Sequence, residues 1–127
     1  MIHLLTNTYH LHPVPSAAQV ELDMGCGKGR FTLALAQRYP ERVILGSDVM
    51  IGRLRRLEAK RKSRGLDNLS LLRAESGQLV SFQLPPASID RLHLLCPDPW
   101  PKARHQVRRL VCTEFLCRLR RILKAGA

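Results

Sequence analysis

Four places in the sequence hold residues that could do chemistry. In "DMGCGKG", Asp23 to Gly29, an acid stands two residues before the first of three alternating glycines. Asp48 closes "RVILGSD", and Glu75 follows "NLSLLRA". Asp98 lies in "CPDPWPKARHQVRRL" between Pro97 and Pro99, with Trp100 next to it. Each proline holds the residue before it out of the helical region, which fixes the backbone around Asp98. After Trp100 come Lys102, Arg104, His105, Arg108 and Arg109 with no acid among them. A fixed carboxylate can accept from an ammonium or from the N–H edge of a base. A run of cations fits phosphate contact.

The glycine spacing decides which ligand fits. A glycine loop between a strand and a helix cradles a nucleotide. The dinucleotide fingerprint is G-x-G-x-x-G. Gly25 and Gly27 fit it, but the third position falls on Arg30, and Gly29 comes one residue early. That spacing disfavours a dehydrogenase. The acid-x-Gly-x-Gly-x-Gly pattern suits S-adenosylmethionine (SAM). SAM carries no phosphate, and its sulfonium and ammonium suit the acid at Asp23, which would repel a pyrophosphate. Asp48 at the next strand end can accept from ribose hydroxyls, or it can serve only as a turn residue. Glu75 stands where an adenine would lie, or is a solvated surface acid. Asp98 alone can equally be the capping residue of a structural turn.

These residues need a scaffold that brings them together. The first 18 residues lack periodicity and are expected to form an arm or loop. Strands are expected at Gln19–Met24, Arg42–Asp48, Asn68–Ala74 and Ile89–Leu95. Between the first two, Phe31, Leu35 and Tyr39 give Arg30–Tyr39 a helical spacing, ended by Pro40. The basic segment "IGRLRRLEAKRKSRG" places Ile51, Leu54 and Leu57 on one face, with Gly65 as its C-cap. Its charges lie opposite that face and fit ordinary solvation. Ser76–Phe82 predicts a short turn or helix, and "VRRLVCTEFLCRLRRIL" an amphipathic helix with Leu110, Val111, Phe115, Leu119 and Ile122 inward. Strands alternating with helices predict an α/β fold with a mainly parallel, Rossmann-like sheet over residues 19–127. Ligands of such sheets bind at the carboxyl ends of the strands, where Gly25, Asp48, Glu75 and Asp98 should converge.

Composition narrows the function classes. A chain of 127 residues with 45% apolar content suits one globular domain. The net charge of +11, from 21 Lys and Arg against 10 Asp and Glu, points to a polyanionic partner such as nucleic acid. No apolar run approaches a membrane span, and no signal peptide is legible, so a cytoplasmic setting is expected. Cys26, Cys96, Cys112 and Cys117 form no Cys-x-x-Cys pair. With His3, His10, His12 and His93 showing no zinc spacing, no metal is expected, and the cysteines read as reduced packing residues.

The motifs together resemble the bacterial tRNA (guanine-N(7)-)-methyltransferases. "LDMGCGKGRFTLALAQRYP" and "ILGSD" carry part of the likeness, and the Pro-Asp-Pro-Trp-x-Lys-x-Arg-His-x-x-Arg-Arg run carries the specific part. The resemblance implies SAM as cofactor, tRNA as partner and methylation at guanine N7. It implies cofactor contacts at Asp23, Gly25, Gly27, Asp48, Glu75 and Asp98, with Asp98 also catalytic. It implies tRNA contacts at Lys102, Arg104, His105, Arg108 and Arg109. The family often has Glu at the positions of Asp23 and Asp48, Asp or Asn at that of Glu75, and Phe at that of Cys96. Its members continue with further strands beyond "LRRILKAGA". The expectation is therefore a C-terminally incomplete SAM domain that binds better than it turns over, with an open edge on the fourth strand. The alternatives are another SAM-dependent RNA or small-molecule methyltransferase, or a non-catalytic SAM- or RNA-binding fragment.

Overall fold

The computed structural model describes residues 1–5, 11–94 and 113–126. Five strands form one sheet in the order β1-β4-β3-β2-β5, and every pairing is parallel. The strands are β1 (Ile2–Leu4), β2 (Val20–Met24), β3 (Val43–Asp48), β4 (Leu69–Arg73) and β5 (Arg91–His93). The helices are α1 (Arg30–Arg38), α2 (Ile51–Arg64), α3 (Ser76–Gln78), which runs into a π-helical turn at Leu79–Gln83, and α4 (Thr113–Ile122).

Side-chain alternation along the strands builds two cores, one on each face. Ile44, Leu69 and Leu71 face α1 and α2, where Leu33, Leu35, Ala36, Leu54 and Leu57 cover them. Val20, Leu22, Met24, Leu45 and Leu72 face the other layer, built from Leu79, Val80, Leu84, Phe115, Leu119 and Ile122. Phe115, Leu119 and Ile122 thus point inward as their spacing predicts, while Leu110 and Val111 lie outside the described residues. Asn68 Nδ2 donates to the carbonyls of Ala36, Tyr39 and Arg42 at 3.0–3.2 Å, holding the exit of α1. Gly65 takes the left-handed conformation that ends α2.

Three expectations need correction. Residues 1–18 are not all loop, because Ile2–Leu4 adds a parallel strand to β4 in the register Ile2 with Leu71. Three residues are too few to show a period in sequence. On α1 the buried face is Thr32, Leu33, Leu35 and Ala36, whereas Phe31 is 37% exposed and sets its ring edge-on to His93 at 5.0 Å. The outer side of the fourth predicted strand, now β5, is not bare at its start. Ser88 and Ile89 donate their N–H groups to Ile122 O, and Lys124 N–H donates to Ile89 O at 2.9 Å. Ile89 and Leu123 form a parallel bridge there.

Candidate functional site

The register aligns the carboxyl ends of β2, β3, β4 and β5 on one rim. Met24 pairs with Ser47, Asp48 with Arg73, and Asp23 with His93. Gly25, Asp48, Glu75 and His93 therefore stand along the same edge. Asp98, Lys102, Arg104, His105, Arg108 and Arg109 lie outside the described residues, as does Cys96.

Asp48 organises the rim. One carboxylate oxygen accepts from Gly27 N–H and the other from Met50 N–H, both at 2.9 Å. The end of β3, the glycine loop and the start of α2 are thereby tied to one side chain that is 7% exposed. A carboxylate has about four lone-pair sites, so each oxygen can accept once more. Backbone bonds secure the rest of the loop: Cys26 N–H donates to Ser47 O at 2.8 Å and Gly29 N–H to Cys26 O at 2.9 Å.

The three glycines do different work. Gly25 and Gly27 have φ of +67° and +57°, and Cβ atoms there would meet open space, with only Arg53 Nη1 at 4.0 Å from the second. The backbone at these two residues is bare toward the rim. Gly29 also has positive φ, +78°, but its Cβ would fall 2.3 Å from Leu57 Cδ1. It is the contact point at which α1 begins against α2.

Beneath the loop, the alternation of β2 turns Glu21 and Asp23 toward α1 while Val20, Leu22 and Met24 face the other core. Both acids are buried. Asp23 Oδ2 accepts from Thr32 Oγ1 at 2.5 Å. Burial pushes its carboxyl above the usual range, against the pull of Thr32 and His93. Glu21 is fully buried between Arg42 Nη1 at 2.5 Å and His93 Nε2 at 2.8 Å. Burial would raise the Glu21 carboxyl too, but the hydrogen bonds from His93 and Arg42 outweigh it and hold the group below its ordinary value. The Cys26 thiol is pushed up to about 12 by burial first, then by Asp23 and Asp48.

Glu75 is exposed, and its oxygens accept from Gly77 N–H and Gln78 N–H at 2.8 Å, capping α3. The structure thus brings Asp23, Gly25, Gly27 and Asp48 together around one loop and sets Glu75 further along the rim in a capping role. The Glu21–Arg42–His93 cluster was missed from sequence, where His93 read as merely structural. Its one legible signal is that Glu21 lies two residues before Asp23, on the same strand face. Among the described residues no group of three His, Cys, Asp or Glu could hold a metal ion, and no helix is long and apolar enough to cross a membrane.

A parallel sheet between two helical layers, with a glycine loop clasped by the acid ending the next strand, is the architecture of Rossmann-like methyltransferases. Solved structures agree on the fold. A SAM dependent methyltransferase from Aquifex aeolicus matches with a TM-score of 0.64 and 20% identity over 84% of this chain and 51% of that one. The 16S rRNA (adenine(1408)-N(1))-methyltransferase of Catenulisporales acidiphilia, solved with cosubstrate SAM, matches with a TM-score of 0.63 and 27% identity over 88% and 54%. The chain belongs to the Methyltransf_4 methyltransferase family, which matches residues 17–127. Among curated relatives, the tRNA (guanine-N(7)-)-methyltransferase of Paracoccus denitrificans is 42% identical over 108 residues, 85% of this chain and 46% of that protein. The Caulobacter vibrioides protein of the same name is 33% identical over 114 residues, 90% of this chain and 50% of that protein. The chain spans about half the length of the curated relatives it matches.

Proposed function

We propose that the chain carries the cofactor site of a tRNA (guanine-N(7)-)-methyltransferase, which moves a methyl group from SAM to N7 of a guanine in tRNA. The observation that carries this reading is the clasp of Asp48 on the glycine loop, in a chain whose relatives bear that name. The residues present fit SAM. Bare backbone at Gly25 and Gly27 leaves room for a ligand to lie against the loop. The free lone pairs of Asp48 suit ribose hydroxyls, and Glu75, further along the rim, would meet the base beyond them. Asp23 is 3% exposed, so it acts through the loop rather than by open contact. Burial raises its carboxyl, and a cationic ligand tail nearby would favour the ionised form.

When bound, SAM supplies an electrophilic methyl group on a sulfonium. Guanine N7 has a lone pair and no proton, so no side chain has to remove one, and the residues' task is positioning. Asp98 holds the base edge or the ligand's ammonium. Lys102, Arg104, His105, Arg108 and Arg109 grip tRNA phosphates. The setting is the cytoplasm, where tRNA is available and the cysteines stay reduced.

The test is incubation of the protein with labelled SAM and bulk tRNA, followed by identification of the modified nucleoside. N7-methylguanosine is the expected product, and Asp98→Ala should abolish it while sparing tRNA affinity. Label on another base, or full activity in Asp98→Ala, overturns the assignment.

A further inference from the structure

A second group of cations, separate in sequence from the basic run after Trp100, stands beside the glycine loop. Lys28 of the glycine loop, Arg30 at the start of α1, and Arg53, Arg56 and Lys60 of α2 line a cleft of about 150 Å³. Residues 53, 56 and 60 share one helix face by their spacing of three and four. No acid lines the cleft. The one ion pair it makes among the described residues is the long contact of Arg53 Nη1 with Asp48 Oδ2 at 4.0 Å.

The arrangement runs against helix stability. A helix start carries partial positive charge and favours acids in its first turn. Neither α1 nor α2 has an acid there or a side-chain cap. Arg30 and Arg53 occupy those first turns instead, so two helix starts and five cations face one hollow. A surface shaped by solvation alone would intersperse acids among such charges. An anion in the cleft offsets the repulsion among these cations.

We infer that this cleft holds consecutive backbone phosphates of the RNA substrate. The inference rests on the proposed RNA substrate for its choice of phosphate source. Arg53 and Lys60 lie seven residue steps apart, about 10 Å at the α-helical rise, which is longer than a single phosphate and fits a run of them. Arg53 and Lys28 sit beside the glycine loop, so the strand would pass the cofactor site as it enters. All five residues lining the cleft are cationic and no large apolar side chain stands among them, which suits a phosphate chain better than a lipid surface.

The experiment is a salt titration of tRNA affinity for the full chain, Arg56→Ala with Lys60→Ala, and a control with Arg64→Ala and Arg120→Ala. The control removes the same charge from exposed positions outside the cleft. SAM affinity and methylation by the parent are measured alongside. If both cleft residues contact phosphate, the slope of log affinity against log salt flattens by about 1.4 to 1.8 in the cleft variant. The control keeps the parent slope, and SAM affinity is unchanged in both. Equal slopes in the cleft variant and parent overturn the inference. So does displacement of tRNA by inorganic phosphate at matched phosphate concentration and constant ionic strength, which assigns the cleft to a free anion. Tighter binding to phosphatidylglycerol vesicles than to tRNA, lost in the cleft variant, also overturns it. A parent that methylates tRNA while the cleft variant keeps its slope refutes the cleft alone. A parent that binds no RNA refutes both the cleft and the proposed substrate.

Discussion

Replacing Gly29 by Ala should be among the most damaging single-methyl additions in the chain. Two costs combine. Gly29 has φ +78°, a left-handed conformation that costs an L residue about 1–2 kcal/mol. The new methyl would also lie 2.3, 2.6 and 2.9 Å from Leu57 Cδ1, Cδ2 and Cγ. Leu57 is 1% exposed within the core beneath α1 and α2, so it cannot swing away without opening a cavity. Overpacking of this kind costs about 1–3 kcal/mol. The sum is about 2–5 kcal/mol, a large part of a domain stability of about 5–15 kcal/mol. Gly25→Ala is the internal control, because φ is +67° there but nothing lies within 4 Å of the new methyl. It should cost only the backbone share. Urea denaturation followed by circular dichroism measures both. Leu57→Ala in the Gly29→Ala background should recover the packing share, so the double variant should be more stable than the two separate losses add up to. If Gly29→Ala stays within about 0.5 kcal/mol of the parent, or loses no more than Gly25→Ala, the helix contact does not constrain the loop.

The buried acids of β2 predict opposite pH behaviour. Glu21 is held below its ordinary value of 4.5, so it stabilises the fold above that pH and the contribution is lost as pH falls through the lower folded value. Glu21→Gln should lose about 3–5 kcal/mol at neutral pH by removing the buried carboxylate from between Arg42 and His93, and its stability should fall less steeply below about pH 4.5; an unchanged acid limb contradicts this. Asp23 is raised above 3.8, so its ionised form is penalised at neutral pH and the penalty is relieved as pH falls through that shifted value. Asp23→Asn should melt at or above the parent temperature at pH 7 while SAM affinity drops, and a marked loss of stability would show the carboxylate to be structural. Cys26, with its thiol pushed up to about 12, should resist iodoacetamide at pH 8 while exposed Cys117 reacts, as peptide mapping would reveal. Asp48→Asn should weaken SAM binding at least tenfold, since Asn offers one acceptor to two backbone N–H groups; unchanged calorimetric affinity would detach Asp48 from the site.

The strands were legible where the chain is apolar on both faces, as in "VILG" of β3, because a central parallel strand is buried twice. The glycine loop and Asp48 were legible because their spacing along the chain reflects their placement at neighbouring strand ends. The π-helical turn after α3 read only as a short turn or helix. Glu21 was silent because its partners Arg42 and His93 lie 21 and 72 residues away, so no local pattern records the cluster. Phe31 fitted a helical spacing that its packing does not follow, since Thr32 takes the inward place to reach Asp23. The cations of α2 were legible as charges but not as a cleft, because their pairing with Lys28 and Arg30 depends on how closely α1 approaches at Gly29.

The order of the strands also bears on how the domain assembles. Neighbours in the middle of the sheet are near in sequence: Val20 pairs with Val43 and Ile44 with Leu69, separations of 23 and 25 residues. The edges close over far longer loops, with Ile2 on Leu71 and Glu21 on Arg91, separations of 69 and 70 residues. Tripling a loop adds about 1 kcal/mol of closure entropy, and the short edge strands bring few contacts to offset it. The β2–α1–β3–α2–β4 segment is therefore the unit expected to form first, already holding the glycine loop and its clasp. β5 docks afterwards and completes the Glu21–His93 pair as it does so. In native-state hydrogen exchange, amides of Ile44 and Leu45 in the central β3 should open with the whole domain, while those of β1 and β5 exchange through smaller openings. The half of the rim formed by β5 would then be the last to assemble and the first to come loose.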